Sequence, residues 1–385
     1  MPEEPKNGAD PEATPSRSRP DGSKRQPTAA VIGSSMIDII ALVAPENIER
    51  VTMQNGGVSY LLLEQGRKVP AEGIETHVGG GGCNVSVSLA RRGWQVRLLS
   101  KTGDDLNASA VRAHLSRNGV DTRSMLNDAR LATGVSVMVS AHDRNAALFV
   151  HRGANEHLAI ADITDSPFRS VDLVYIAPLS SGSADCFSAL VEHGCWAGAM
   201  VAANPGIRQL TSRTEAFFGA LGNLDLLSLN TVEAAALVPG LLARGATRVK
   251  PPLIADPPLR LRLGLSFGGH DMSLFDFFDA LHGHGPDWVL LTDGAEGAYL
   301  SGPQGVMFCP AVPSDVAGTA GAGDAFCSTL ASELAVGLGA ERALLRASLN
   351  AASVVSKVNT TDGLLDAAEI EERAEDLPMS VRILR

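Results

Sequence analysis

The chain has 385 residues, 45% of them hydrophobic, and a formal net charge of −11. Such a length and composition accommodate one large α/β unit, and the acidic balance excludes a chain-wide basic footprint for nucleic acid. Cysteines at 83, 186, 195, 309 and 327 form no C-x-x-C pair, which reads as reduced thiols in a cytoplasmic protein; no apolar run reaches the about 18 residues of a membrane span, so no membrane partner is expected.

Residues 1–28 are rich in Pro, Ser, Gly, Arg and Glu without apolar periodicity, and are expected to form a disordered tail before a domain spanning 29–385. A first strand is predicted over Ala30–Ile32. Beyond it lies Gly33-Ser34-Ser35-Met36-Ile37-Asp38, with Asp38 near the strand end where open α/β sheets bind ligands. An ordinary loop aspartate is the plain alternative. Residues 42–77 lack a strand–helix rhythm. Then Gly79-Gly80-Gly81-Gly82-Cys83-Asn84 enters a small-residue helix over 84–92. The spacing is not the dinucleotide G-x-G-x-x-G. It suits close backbone approach to a polar, hydroxyl-rich ligand, with Asn84 supplying a donor and an acceptor, or else capping the helix.

Further along, strand Val96–Ser100 and helix 107–118 precede a hairpin over 134–151. Val135, Val137 and Val139 alternate, and Asp143-Arg144-Asn145 supplies the turn. The hairpin is expected to extend from the main sheet over a ligand site. Strands Leu173–Ile176, Met200–Ala203, Leu224–Leu229 and Trp288–Thr292 alternate with helices at 183–194, 231–237 and 274–282. That rhythm, with near-continuous apolar strands, predicts a parallel sheet with helices on both faces. At the end of the third of these strands, Asn230-Thr231-Val232-Glu233 puts Asn and Glu on one face of a starting helix. They suit phosphate oxygens and a hydrated Mg²⁺, or simply a capping box. Residues 241–271, with Pro251-Pro252 and Pro257-Pro258, read as an insertion of unspecified shape. Thr292-Asp293-Gly294-Ala295-Glu296-Gly297 makes a glycine turn after a buried strand.

The sharpest signal is Gly318-Thr319-Ala320-Gly321-Ala322-Gly323-Asp324-Ala325-Phe326, followed by an apolar helix. A small-residue turn feeding a helix exposes backbone N–H groups at the positive end of the helix dipole, which suits a transferring phosphoryl group. Asp324 there can take the proton of an attacking hydroxyl. The alternative is a helix N-cap.

In this order the segments resemble the ribokinase-like, or PfkB, family of carbohydrate kinases, from about Ala29 to Gly363. The most specific stretches are 79–93 and 318–326. Asn230 with Glu233, Thr133-Gly134 and Gly153-Ala154-Asn155 add to them. The resemblance implies a doubly wound, mostly parallel α/β sheet with helices on both faces and a small β lid, built from about 42–77 and 134–152. It implies ATP and Mg²⁺ as cofactors and a sugar or sugar-like hydroxyl as acceptor. Asp324 would be the general base, and the amides of Gly321, Ala322 and Gly323 the anion hole. Asp38, Gly80, Gly81 and Asn84 would hold substrate hydroxyls. Asn230, Thr292, Gly294 and Gly297 would lie along the nucleotide, Glu233 would act on Mg²⁺ through water, and Asn350 would sit near adenine. The resemblance also allows a homodimer through the lid, whose strands in this fold sometimes pair between subunits. Gly318 replaces the Asp that in many members helps hold a monovalent cation, which speaks against potassium activation. Met36 and Gly81 depart from residues common in ribose-specific members. A nucleoside kinase and a ligand-binding protein without transfer activity are the alternatives.

Overall fold

Residue alternation in the short apolar runs sets the architecture. In the strand Thr28–Ile32, Ala30 and Ile32 join one core while Ala29 and Val31 join another. The same split divides Val174 and Ile176 from Leu173 and Tyr175, and Val289 and Leu291 from Leu290. A strand whose side chains are buried on both faces needs a helical layer on each side. The computed structural model describes residues 25–385 apart from 48, 53–58, 63–64, 67, 141–145, 247–253 and 378–379.

The main sheet has ten strands. Their order is Arg382–Ile383, Gly305–Cys309, Ala298–Gly302, Trp288–Thr292, Leu226–Asn230, Met200–Ala203, Leu173–Ile176, Thr28–Ile32, Gln95–Leu99 and Val120–Asp121. From Trp288–Thr292 to Val120–Asp121 neighbours pair parallel; the strands before it pair antiparallel. Helices Phe187–Ala197, Thr231–Ala243 and Leu274–His282 cover one face. Helices Gly81–Arg91, Leu106–Arg117, Ala322–Ala335 and Ala340–Val355 cover the other. The chain leaves Thr28–Ile32 toward one sheet edge and later returns to Leu173–Ile176 on its other side. The crevice beyond these two strands is therefore a topological switch point, where open α/β sheets bind ligands.

A second sheet orders its strands Ala146–His151, Gly134–Ser140, Met36–Val43 and Ala71–Gly79. The lid therefore begins earlier than expected. Met36–Val43 is one of its inner strands, in parallel register with Gly134–Ser140, so Asp38 is a strand residue and not a loop residue. The apolar run from Ala29 to Ala41 thus holds two strands divided by Gly33-Ser34-Ser35, the second of which the sequence did not announce. The expected turn at Asp143-Arg144-Asn145 lies outside the described residues. Within 42–77 lie a short antiparallel pair, Glu49–Thr52 with Ser59–Leu62, and the last lid strand.

The expected insertion contains a short helix, Leu259–Leu263, and a hairpin of Leu265–Phe267 with His270–Met272. Leu265 and Met272 are buried in the core that contains Leu274 and Leu241. The described chain is already anchored at Arg25, whose guanidinium donates to Asp172 at 2.7 Å, and Thr28 is in the first strand. The expected tail thus ends earlier than residue 28, and residues 1–24 lie outside the described residues. Among the described residues no helix is long and apolar enough to cross a membrane.

Candidate active site

Two helices begin with glycine at the switch point, and neither has a side-chain cap: Gly81–Arg91 behind Gly80, and Ala322–Ala335 behind Gly321. Helices that start at Asp105, Asn230, Ser273 and Asp366 are capped by those side chains. At Gly321, φ is 79°, and a Cβ would lie 2.8 Å from the Thr360 Cβ. Only glycine fits both the left-handed backbone and that contact. The first intrahelical bond runs from Ala325 N–H to the Gly321 carbonyl at 2.9 Å. The amides of Ala322, Gly323 and Asp324 come before it, as in any helix start. Gly323 is exposed, with open space where a side chain would stand. An uncapped, unobstructed amide cluster of this kind fits an anionic oxygen.

Asp324 is the third residue of its helix and does not cap it. Its half-buried carboxylate accepts a hydrogen bond from Asn84 Nδ2 at 2.8 Å. Burial pushes the Asp324 carboxyl above the usual carboxylate range, and the Asn84 hydrogen bond pulls it part of the way back. Asn84 lies inside the other helix and is itself buried, so it is no cap either. Its Oδ1 accepts from Thr360 Oγ1 at 2.8 Å.

The glycine run divides its work. Gly80 has φ 93°, and a Cβ there would lie 2.6 Å from the Ser34 carbonyl oxygen, so this glycine makes the turn. The Gly82 amide donates to the same carbonyl at 2.9 Å, and the Gly81 amide to Ser34 Oγ at 3.2 Å. Gly81 alone faces Asp324: a Cβ there would be 3.6 Å from Asp324 Oδ1, 3.2 Å from Ala177 Cβ and 3.5 Å from Pro178 Cδ. On the other side of Gly80, the Gly79 position abuts the carboxylate of Asp38. Asp38 also accepts a short hydrogen bond from Ser136 Oγ on the next lid strand. Burial raises its pKa, opposed by Ser136 and by the nearby His77. Asp38 and Asp324 thus flank the same short stretch of glycine backbone, about 7 Å long when extended.

The neighbouring strand ends carry the next group. Asn230 and Thr292 are register partners on adjacent parallel strands. Asn230 and Glu233 form a capping box: Asn230 Oδ1 accepts from the Glu233 amide at 2.9 Å, and Glu233 Oε2 from the Asn230 amide at 2.9 Å. Burial raises the Glu233 pKa, while hydrogen bonds from Asn230 and Asn204 lower it. Asn204, which follows Met200–Ala203, went unremarked in the sequence; its position just past a buried strand was the available signal. Beyond Thr292, the Asp293 amide donates to the Gly297 carbonyl at 2.8 Å and closes the glycine turn. Both Gly294 and Gly297 have positive φ. Asp293 is nearly buried and accepts two hydrogen bonds from Arg260, at 3.0 and 3.2 Å. Arg260 comes from the insertion, a link no local pattern announces.

Asn350 sits on the helix Ala340–Val355. Its side chain is 0% exposed, with Nδ2 donating to Thr329 Oγ1 at 2.9 Å and Oδ1 accepting from the Leu365 amide at 2.9 Å. With no accessible surface and both ends engaged, this side chain clamps the core. Met36 is buried, while Tyr60 is exposed. Gly318 packs near the carbonyls of Lys357 and Val358.

The family model described as pfkB family carbohydrate kinase matches residues 26–244 and 270–367. Aminoimidazole riboside kinase of Salmonella typhimurium is 28% identical over 257 residues, 66% of this chain and 72% of that protein. Ribokinase of Bacillus subtilis is 26% identical over 316 residues, 80% of this chain and 91% of that protein. Among solved structures, a putative ribokinase II from E. coli in complex with ATP and Mg²⁺ superposes with a TM-score of 0.70 at 16% identity, covering 91% of this chain and 100% of the other.

Proposed function

The chain belongs to the pfkB family of carbohydrate kinases and is a phosphotransferase with an alcohol group as acceptor; on that premise we propose that it moves the γ-phosphate of ATP onto a sugar hydroxyl with Asp324 as general base. The observation that carries this reading is the half-buried Asp324 carboxylate, held by Asn84 beside an uncapped helix start. A carboxylate with a raised pKa is a stronger proton acceptor once ionised, and general-base catalysis typically contributes 10²–10⁴-fold.

In this mechanism Asp38 and the Gly81 backbone orient the acceptor so that one hydroxyl meets Asp324. Asp324 takes its proton as the hydroxyl oxygen attacks phosphorus. The amides of Gly321, Ala322 and Gly323 balance charge on the transferring group, and they need no reorganisation because the helix already fixes them. Thr292, Gly294, Gly297 and Asn230 line the nucleotide side. Mg²⁺, when bound, neutralises phosphate charge; the single carboxylate of Glu233 suits contact through water. The lid exposes Ile74, Leu148 and Phe149, which supports pairing of two copies through this sheet.

A base-bearing sugar is the second reading. Ala177 and Pro178 give the acceptor side an apolar wall, and the Salmonella relative is a riboside kinase. The test is ADP release with Mg²⁺ATP across sugars, sugar acids, sugar phosphates and nucleosides, with Asp324→Asn alongside. Turnover on one acceptor, lost in the variant, is expected. Ligand binding without turnover on any acceptor would refute the transfer reading.

A further inference from the structure

One side chain ties the insertion to the end of a central strand. Arg260 lies in 245–269, the stretch between the matched parts of the family model. Its guanidinium donates through Nη2 to Asp293 Oδ1 at 3.0 Å and through Nε to Asp293 Oδ2 at 3.2 Å. Asp293 opens the glycine turn that follows Trp288–Thr292. Resting on the reading that this turn lies along the nucleotide, we propose that the insertion is a working part of the nucleotide site, with Arg260 the positioning residue that fixes the turn for ATP.

The turn hangs between two anchors. At its far end Gly297 is buried with φ 121°, and a Cβ there would run into the Cys309 carbonyl. At its near end the Asp293 side chain is 6% exposed and is held by Arg260. Between the anchors Gly294, Ala295 and Glu296 are exposed, and the space beside Gly294 is open. Within the turn, the Asp293 amide donates to the Gly297 carbonyl at 2.8 Å and the Glu296 amide to the Asp293 carbonyl at 3.1 Å. These local bonds fix the shape of the turn. The two anchors fix where that shape stands on the sheet.

The near anchor calls for an arginine. A carboxylate this deeply buried depends on its cationic partner, and losing that partner is strongly destabilising. Two N–H···O bonds from one rigid fork set the plane of the carboxylate as well as its distance, which a lysine ammonium does not do. The third group, Nη1, is turned to the Gly264 carbonyl at 3.5 Å, inside the insertion. Arg260 thus spends its donors on Asp293 and on its own segment, so its action on a ligand runs through Asp293.

Arg260 is itself braced. The Gly264 amide donates to the Arg260 carbonyl at 2.8 Å and closes the short helix Leu259–Leu263. Leu265 and Met272 pair in the hairpin that follows and are buried in the same core as Tyr299, against which Leu261 also packs. Arg382, on the last strand, donates to the Asp256 carbonyl at 2.9 Å. The support therefore leads back to the antiparallel edge of the main sheet, the same edge from which Cys309 anchors the far end of the turn. Coupling of this kind is reciprocal: a nucleotide that favours the fixed turn also steadies the insertion.

The probe is ADP with Mg²⁺, titrated calorimetrically into the full chain. Arg260→Met is expected to weaken ADP binding about five-fold or more. Arg260→Lys, which keeps the charge without the fork, is expected to fall between that variant and the wild type. Arg262→Met, exposed on the same short helix, is expected to bind ADP as the wild type does. Arg260→Met combined with Asp293→Asn carries no unpaired buried charge, so it keeps the test open if the single variant fails to fold; it is expected to recover only part of the loss. In the wild type, ADP is expected to slow hydrogen exchange across 259–272. Unchanged affinity in Arg260→Met, an equal loss in Arg262→Met, or exchange unmoved by ADP would overturn the proposal. So would full recovery in the double variant, since Arg260 would then only neutralise Asp293. A wild type that binds no ADP would instead refute the nucleotide reading itself, and the proposal with it.

Discussion

Two glycines in the same turn should respond to alanine in opposite ways in stability and in the same way in activity. Gly321 has φ 79°, and a methyl there would lie 2.8 Å from the Thr360 Cβ and 3.0 Å from its Cα. The left-handed backbone costs an L-residue about 1–2 kcal/mol, and crowding against packed atoms adds about 1–3 kcal/mol. Gly321→Ala should therefore lose about 2–5 kcal/mol and melt several degrees lower. Gly323 is a helical residue without positive φ and with open space around its missing side chain. Alanine there removes a helix penalty of about 0.5–1 kcal/mol, so Gly323→Ala should melt at the same temperature or about 1–2 °C higher. Its methyl, however, stands among the amides assigned to the transferring phosphoryl group. A displacement of about 1 Å at a reacting centre can cost on the order of 10²-fold. Both variants should thus fall at least ten-fold in turnover, measured by coupled ADP release, with melting followed on the same samples. A fully active Gly323→Ala would show that no reacting group approaches that surface, and a markedly lowered melting temperature would show that the space is not open.

Asp324→Asn should lose about 10²-fold or more in turnover while still binding nucleotide. Because burial raises its native pKa, ionising Asp324 costs native stability as pH rises through that pKa; the melting temperature of Asp324→Asn at neutral pH should hold or rise, and a clear fall would contradict the burial argument. The acidic limb of wild-type kcat should lie above the ordinary carboxylate range, checked by a pH–rate profile. Arg260→Met leaves the nearly buried Asp293 without its ion partner, so the KM for ATP should rise several-fold with the acceptor KM unchanged, and Asp293→Asn in the same chain should recover part of the loss. With Gly318 in place of an acidic side chain, exchange of potassium for sodium or choline should alter turnover less than two-fold in steady-state assays. Size measured by light scattering should report a dimer that Phe149→Asp dissociates; an unchanged mass would remove the lid from the interface.

The sequence disclosed the main sheet well, because strands buried on both faces are short apolar runs bounded by turns. Leu173–Ile176, Met200–Ala203 and Trp288–Thr292 match their predicted bounds. The lid was half legible. The hairpin showed in its alternation, but Met36–Val43 was missed as a strand and Asp38 was read as lying beyond the first strand, because only three small residues divide the two. At the site, the glycine run marked a place of close approach without revealing which glycine faces Asp324. Gly80 serves the turn and Gly81 the opening, a distinction that depends on where Ser34 and Ala177 arrive in space. The surroundings of Asn350 were illegible for the same kind of reason: a polar residue on an apolar helix is equally consistent with a ligand contact and with a core clamp, and its two hydrogen-bond partners lie on the preceding helix and in a later loop. Arg260 lies in 245–269, the stretch between the matched parts of the family model, so neither motif nor resemblance pointed to it.

Thr360 shows why such contacts escape sequence reading altogether. Nothing in Asn359-Thr360-Thr361 suggests chemistry; by pattern it is a polar turn after a helix. Its bearing on Asp324 arises because two uncapped helices meet at the switch point, and their meeting leaves Asn84 between a carboxylate and a third segment. Each helix start follows from local rules, small residues and positive φ. Their juxtaposition does not, because it depends on the sheet order that brings Thr28–Ile32 beside Leu173–Ile176. Asp324 and the uncapped helix start are on one helix, Asn84, which donates to its carboxylate, is on the second, and Thr360, which donates to Asn84, is on the loop after Ala340–Val355. A substitution that shifts any one of these three segments should therefore disturb the Asn84–Asp324 hydrogen bond, whichever segment it falls in.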